Sequence, residues 1–180
     1  MTDQLKLQPA DEKALDYIHS LYVRAFPLAE RKPFSVIRKM LKAGTCDVWL
    51  LSCSGVPCGM ATVITLCGAA LLDYFAIDEA FRGRGLGGQA LGQLEALYRG
   101  RPLFIEIECV DPRADNAAQR LARRQFYLNH GFVASGERVR LFGVDMEILS
   151  MHTPVSWATC RAVYRKIYRP FYLFKVQRLR

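Results

Sequence analysis

Apolar positions change their period several times along the chain, and each change marks an element. Leu5 and Leu7 alternate with polar neighbours over residues 4–8, the period of a short strand. From Asp11 the period lengthens. Ala14, Ile18, Leu21 and Ala25 recur every three or four residues, which predicts a helix capped by Asp11 and running to about Phe26, where Pro27 stops it. Pro33 suits the first turn of a second helix, with Phe34, Ile37 and Leu41 on one face and Gly44 at its end. Three strand-like runs follow at 46–53, 58–66 and 69–77, punctuated by Ser54-Gly55 and by Gly68. They predict an antiparallel meander.

Past residue 77 the pattern alternates between long and short periods. A loop rich in charge and glycine (78–83) leads into a helix over 84–98, with Leu86, Ala90, Leu94 and Leu97 as its buried stripe and Gly100 and Pro102 ending it. A strand is predicted at 103–110, a helix at 114–129, and strands at 131–134 and 141–149. A last helix runs from Pro154 to about Tyr168, and 171–176 reads as a final strand or a packed extension. Strand, helix, strand in the middle of this series requires one parallel pair. The fold class is therefore α/β (α+β): a mixed, mostly antiparallel sheet of about seven strands flanked by helices, with a basic helical extension at the C-terminus.

Composition narrows the class. With 180 residues, 51% hydrophobic and 23% charged, the chain can bury a core. No apolar stretch approaches the ~20 residues needed to span a bilayer. Residues 1–10 show no basic segment followed by an apolar run, so a cytoplasmic location without membrane attachment is expected. The six cysteines (46, 53, 58, 67, 109 and 160) form no CxxC pair, and no histidine stands at zinc-ligand spacing, so reduced, buried thiols acting as small hydrophobes and no metal are expected. The net charge of +8 is uneven. Residues 151–180 hold seven basic side chains and no acidic one, leaving 18 basic against 17 acidic groups in the first 150.

One segment carries the chemistry. Phe81-Arg82-Gly83-Arg84-Gly85-Leu86-Gly87-Gly88 follows a strand and opens a helix. A helix N-terminus presents unpaired N–H groups and partial positive charge, glycines let the backbone approach an anion, and Arg82 and Arg84 suit phosphate oxygens. The physical reading is a pyrophosphate loop. A dinucleotide fingerprint fits poorly, because the loop follows antiparallel strands and Glu106 and Glu108 are badly placed for a ribose. The G-K-[ST] of a P-loop is absent.

Arg82-x-x-Gly85-x-Gly87 after the strand Leu71-Leu72-Asp73-Tyr74-Phe75-Ala76-Ile77 resembles the acetyl-CoA loop of the GNAT superfamily of N-acetyltransferases. Phe126-Tyr127-Leu128-Asn129-His130-Gly131-Phe132 resembles that family's Y-x-x-x-G-F segment, 45 residues on from Arg82 at Tyr127. The resemblance covers about residues 5–149, and the element order agrees with it. One departure stands out: Arg120 occupies the place, seven residues before the tyrosine, where many members carry asparagine, and Asn116 lies a turn earlier.

The resemblance implies acetyl transfer from acetyl-CoA to a primary amine, small or peptidic. Residues 1–150 would form the catalytic domain and 151–180 an extension packed on it. Phe75, Ala76 and Ile77 would line the pantetheine arm, with core packing as the plainer role of the two large side chains. Arg82, Gly83, Arg84, Gly85, Leu86, Gly87 and Gly88 would hold the pyrophosphate, and Asn116 would contact the cofactor arm. Tyr127 is the candidate general acid for the departing thiolate. Glu106 and Glu108 alternate with Ile105 and Ile107, so both face one side of their strand. They are candidate bases or a solvated face, and Asp73 is a third candidate. Glu30 could attract the acceptor's ammonium or form a surface pair with Arg31 or Lys32. His19, His130 and His152 are not chosen as base.

The tail from Arg161 to Arg180 interleaves charge with Tyr164, Tyr168, Phe171, Tyr172 and Phe174. Packing of these aromatics on the domain is preferred over RNA binding, although phosphate contact and stacking would suit such a mix. Two further readings stay open: a CoA-binding module without turnover, and an RNA-associated acyltransferase. Monomer and homodimer are both compatible with the sequence.

Overall fold

The computed structural model describes residues 4–168 and 174–179. Eight strands appear: β1 (Leu5–Pro9), β2 (Cys46–Cys53), β3 (Val56–Leu66), β4 (Ala69–Ile77), β5 (Leu103–Glu108), β6 (Phe132–Leu141), β7 (Val144–Met151) and β8 (Val176–Leu179). The α-helices are α1 (Glu12–Ala25), α2 (Phe34–Lys42), α3 (Leu86–Leu97), α4 (Ala117–Asn129) and α5 (Trp157–Ile167). Hydrogen bonding orders the strands β1-β2-β3-β4-β5-β7-β6-β8. The β4–β5 pair is the expected parallel one, and β1–β2, β2–β3, β5–β7, β6–β7 and β6–β8 are antiparallel.

The chain divides into two compact units: Met1–Thr65 with Leu72–Leu97, and Leu66–Leu71 with Tyr98–Arg180. In the first unit, β3 is buried over seven consecutive residues from Cys58 to Ile64, as a strand covered on both faces must be. The outer edge of β1 is clipped by two glutamines one helical turn apart on α3. Gln89 and Gln93 side-chain oxygens accept from the Leu5 and Leu7 amides, both at 3.1 Å. Asp11 caps α1 through its bond from the Ala14 amide (2.7 Å), as read from sequence. Pro33 stands at the N-cap of α2 instead of inside its first turn.

Three hairpins share one device. Ser54-Gly55, Cys67-Gly68 and Phe142-Gly143 all have both residues at positive φ, the two-residue turn whose twist suits antiparallel strands. The third differs from expectation: in place of strands at 131–134 and 141–149, β6 and β7 form one long hairpin around it. Gly136 at φ 78° sits in a register shift between Ala134 and Arg138, and the strand continues through it.

Three further expectations need correction. Leu97 is exposed, and Leu91 takes its place in the buried stripe of α3. The helix start at 84 moves to Leu86, because Gly85 adopts a positive φ that a helix excludes. The final strand is Val176–Leu179, paired with β6, so the alternative at 171–176 is displaced toward the C-terminus. Residues 1–3, Arg169, Phe171, Tyr172 and Arg180 lie outside the described residues.

Candidate functional site

In the first unit the glycine loop stands where the sequence placed it. A 3-10 turn (Glu79–Phe81) follows β4, and α3 begins five residues later. Gly83 (φ 75°) and Gly85 (φ 74°) occupy the left-handed region, which any side chain would strain. A Cβ at either position would meet nothing within 4 Å, so the space beside both glycines is open. Arg82, Gly83, Arg84 and Gly85 are exposed. Arg82 Nε donates to the Ile77 carbonyl at 3.2 Å, and the Arg84 guanidinium lies over the Phe81 ring at 5.2 Å. The first turn of α3, with Leu86, Gly87 and Gly88, directs its unpaired amides out of the helix end. Positive φ glycines, open space beside them, two exposed arginines and a helix terminus are the features that suit an anion.

The strand feeding this loop is irregular. The parallel register with β5 covers only Ala70↔Leu103 and Leu71↔Phe104. Further along, the Tyr74 amide donates to the Thr62 hydroxyl (3.1 Å) and the Asp78 amide to the Cys58 carbonyl (2.8 Å). Gly59 faces the Ala76 carbonyl so closely that a Cβ there would lie 2.6 Å from it. Asp73, Phe75 and Ile77 are half-buried and alternate with buried Tyr74 and Ala76.

Around this strand lies a cluster that no motif announced. Lys32 Nζ is 2.6 Å from Asp73 Oδ1, with both side chains largely buried, and it sits 5.1 Å from the centre of the Tyr74 ring. The Tyr74 hydroxyl accepts from the Lys32 amide (3.0 Å) and donates to the Glu30 carbonyl (2.8 Å). The Tyr22 hydroxyl donates to the Lys32 carbonyl (3.0 Å), and its ring packs edge-on to Tyr74 at 4.7 Å. Burial is the first cause that pushes the Tyr22 phenol far up, followed by Tyr74. Glu30 thus enters through its backbone, and its residue is exposed. At the end of β4, Asp78 Oδ2 takes bonds from Arg24 (2.8 Å) and Tyr17 (3.4 Å), pinning the loop entrance to α1.

In the second unit, Tyr127 projects from α4 and is buried, with its ring edge-on to Phe126 (5.2 Å) and Phe132 (5.3 Å). Burial raises its phenol well above the ordinary value, opposed by Arg123, so the hydroxyl stays protonated. Among the described residues no hydrogen bond engages that hydroxyl. Glu108 is bound by Arg120 Nη2 at 2.7 Å and Arg123 Nη1 at 3.3 Å. Arg120 also donates to the Cys109 carbonyl (3.1 Å) and to Asn116 Oδ1 (2.7 Å), so one guanidinium ties the end of β5 to the N-cap of α4. The substitution for asparagine at this position is a structural clamp that employs Asn116 as one of its acceptors. Glu106 lies beside Tyr164 and Cys160 of α5. Burial first, then the Glu106 charge, raises the Tyr164 phenol, and the same two causes in the same order push the Cys160 thiol up to about 12. The two carboxylates of β5 therefore face different company: two arginines for Glu108, a buried phenol and thiol for Glu106.

All six cysteines are free; Cys67 is exposed and Cys109 half-buried, unlike the buried set expected from sequence. Among the described residues no group of three or more His, Cys, Asp or Glu side chains is gathered for a metal ion, and no helix is long and apolar enough to cross a membrane. Sequence reasoning singled out the loop and Tyr127 through their motifs. It missed Lys32, Gly59 and Arg123, whose partners are distant in the chain. Only Arg120 carried a signal, as the residue out of place in the motif.

A family model described as an acetyltransferase (GNAT) domain matches residues 44–134, just over half of the chain. No curated protein matches the chain in sequence. Among solved structures, a GNAT-family protein from Bacteroides thetaiotaomicron aligns over 93% of this chain and 98% of its own at 19% identity, with a TM-score of 0.75. A spermidine N-acetyltransferase from Vibrio cholerae, in complex with CoA and spermine, aligns over 82% and 95% at 15% identity (TM-score 0.61). A ribosomal-protein-S18-alanine N-acetyltransferase from Escherichia coli aligns over 86% and 97% at 19% identity (TM-score 0.59). At such identities the likeness is one of fold.

Proposed function

The chain belongs to the acetyltransferase (GNAT) family, and from that premise we propose that it moves the acetyl group of acetyl-CoA to a primary amine by direct attack in a ternary complex. The open glycine loop at the N-terminus of α3 carries this reading. Its amides and the exposed Arg82 and Arg84 suit a pyrophosphate. The backbone of Phe75, Ala76 and Ile77 then serves the pantetheine arm. Acetyl-CoA supplies an activated thioester; the protein supplies placement and proton traffic.

Tyr127 is assigned as proton donor to the departing thiolate. Its raised pKa supports the protonated state a donor needs. Of the three carboxylates considered, Asp73 is the one whose partner is an ammonium, and we assign it to receive the acceptor's ammonium and to take its proton. Glu108 is already occupied by two guanidiniums and is not assigned the proton. Its assigned work, with Arg120, is to hold the start of α4. Glu106 is assigned to positioning α5 through Tyr164. The neighbours named for spermidine and for an alanine of a ribosomal protein support a primary amine as the acceptor class. A cytoplasmic site of action is part of the reading, supported by six cysteines without a disulfide.

The test is calorimetry with acetyl-CoA on wild type and Gly85→Glu, followed by thiol release with a panel of primary amines. Binding to wild type that is lost in the variant, with amine-dependent thiol release, is the expected result. Binding without release for any amine would make the protein a CoA-binding module, and absence of binding would overturn the reading.

A further inference from the structure

The Lys32 cluster places a primary amine of the chain itself in a site built for an ammonium. Successive residues of a strand point to opposite faces, so Asp73 and Tyr74 lie on opposite sides of β4. Lys32 engages both. Its backbone amide bonds the Tyr74 hydroxyl at 3.0 Å, while its Nζ reaches Asp73 at 2.6 Å and stands 5.1 Å from the Tyr74 ring centre. Both contacts fall beyond Leu71, the last residue that β4 pairs with β5. The backbone of Lys32 is held on both sides, by the Tyr74 hydroxyl at its amide and the Tyr22 hydroxyl at its carbonyl. Pro33 follows directly and restricts the conformation of Lys32 further. The ammonium is thus delivered to this place by a rigid support.

We propose that Lys32 is an acetylation site of the protein itself, modified in cis by bound acetyl-CoA when no external amine competes. The inference rests on the reading above, in which β4 carries the cofactor arm. Carboxylate plus aromatic face is a general recognition scheme for an alkyl-ammonium group, and Lys32 shows what this one takes: an unbranched primary alkylamine. In the reaction the Lys32 ammonium first gives a proton to Asp73. The free amine attacks the thioester carbonyl, the N–C bond forms and the C–S bond breaks. The nitrogen loses a second proton as it becomes an amide. Of the two protons released, one ends on the CoA thiolate and one in solvent. Nothing is oxidised or reduced.

Burial gives the test its discrimination. Uncatalysed acetylation favours exposed, unpaired lysines, and Lys6, Lys13, Lys39, Lys42, Lys166 and Lys175 are all exposed, whereas Lys32 is largely buried and ion-paired. The purified full chain is incubated with acetyl-CoA and no amine, and each lysine is followed by peptide mass spectrometry. Lys32 is expected to gain one acetyl group about tenfold or more faster than those six, because the attack is intramolecular. Its rate per molecule should not change on dilution of the protein. Lys32→Arg, which keeps a cation against Asp73, should fold and lose the fast label; Asp73→Asn should slow it. After removal of CoA, the labelled protein should melt at a lower temperature than untreated protein, because the acetamide no longer pairs with Asp73. Calorimetric binding of acetyl-CoA with Lys32 labelled no faster than Lys6 or Lys42, or at a rate proportional to protein concentration, would overturn this inference alone. Failure to bind acetyl-CoA would bring down both it and the functional reading.

Discussion

Asp73 on β4 and Glu108 on β5 are both strand carboxylates with little exposure, yet their partners differ in kind. Asp73 holds one lysine at 2.6 Å, and Glu108 holds two arginines, at 2.7 and 3.3 Å. An ammonium on a flexible stem can surrender a proton and become a nucleophile, whereas a guanidinium remains charged at every working pH and fixes geometry through its planar fork. The difference teaches where chemistry belongs in each unit. Around β4 the proposed function has the acceptor's ammonium take the place of a charge of the chain. Around β5 they are fastened, and Arg120 extends the fastening to Cys109 and Asn116.

The comparison is most exposed at Tyr127, the group of the second unit assigned to chemistry. Tyr127→Phe should lower kcat by about 100-fold or more while leaving acetyl-CoA affinity unchanged by calorimetry. Among the described residues its hydroxyl makes no hydrogen bond to lose, so the variant should melt close to wild type. An unchanged kcat would remove Tyr127 from the mechanism.

Next come the two carboxylates themselves. Asp73→Asn should lower kcat/KM for the amine by about tenfold or more. Glu108→Gln should leave kcat within about threefold but cost about 1–2 kcal/mol in urea unfolding, because it weakens a largely buried, charge-assisted pair. The reverse outcome, with Glu108→Gln inactive and Asp73→Asn active, would exchange their roles.

A smaller effect sharpens the account of β4. Gly59→Ala puts a methyl 2.6 Å from the Ala76 carbonyl oxygen and should destabilise the fold by about 1–3 kcal/mol, read as a shifted urea midpoint. A midpoint equal to wild type would show that the two strands yield easily there.

The mildest effect is that of alkaline pH. Burial, with Asp73 as the next cause, pushes the Cys46 thiol up to about 12, and burial followed by Glu106 does the same for Cys160. In the unfolded chain both ionise near their ordinary value of about 9. Between these limits the folded state binds more protons, so stability falls as pH rises. The contribution is whole below about pH 9 and is lost progressively toward 12. Urea midpoints should therefore decline from pH 8 to pH 10.5, and a flat or rising series would show that the thiols reach water.

Much of the fold was legible because the reasons for it are local. The Asp11 cap, the helix periods and two of the three residue–glycine hairpins each declare themselves within a few residues. The Phe142-Gly143 turn carried the same signal in a less familiar dress, and overlooking it broke one long hairpin into fragments. The glycine loop was readable for the same reason: positive φ and close approach to an anion both demand glycine, whatever surrounds it.

The amino-acid sequence by itself determined most of the elements, their order, the parallel crossover and the place of the glycine loop, since backbone sterics and side-chain period act over short separations. Tertiary structure alone decided which charges meet. Lys32 finds Asp73 across 41 residues, Arg178 finds Glu137 at 2.8 Å across another 41, and Gly59 is required by a carbonyl on the next strand. Coulomb attraction and steric exclusion depend on distance in space, and that distance is set only once the sheet has brought remote segments together.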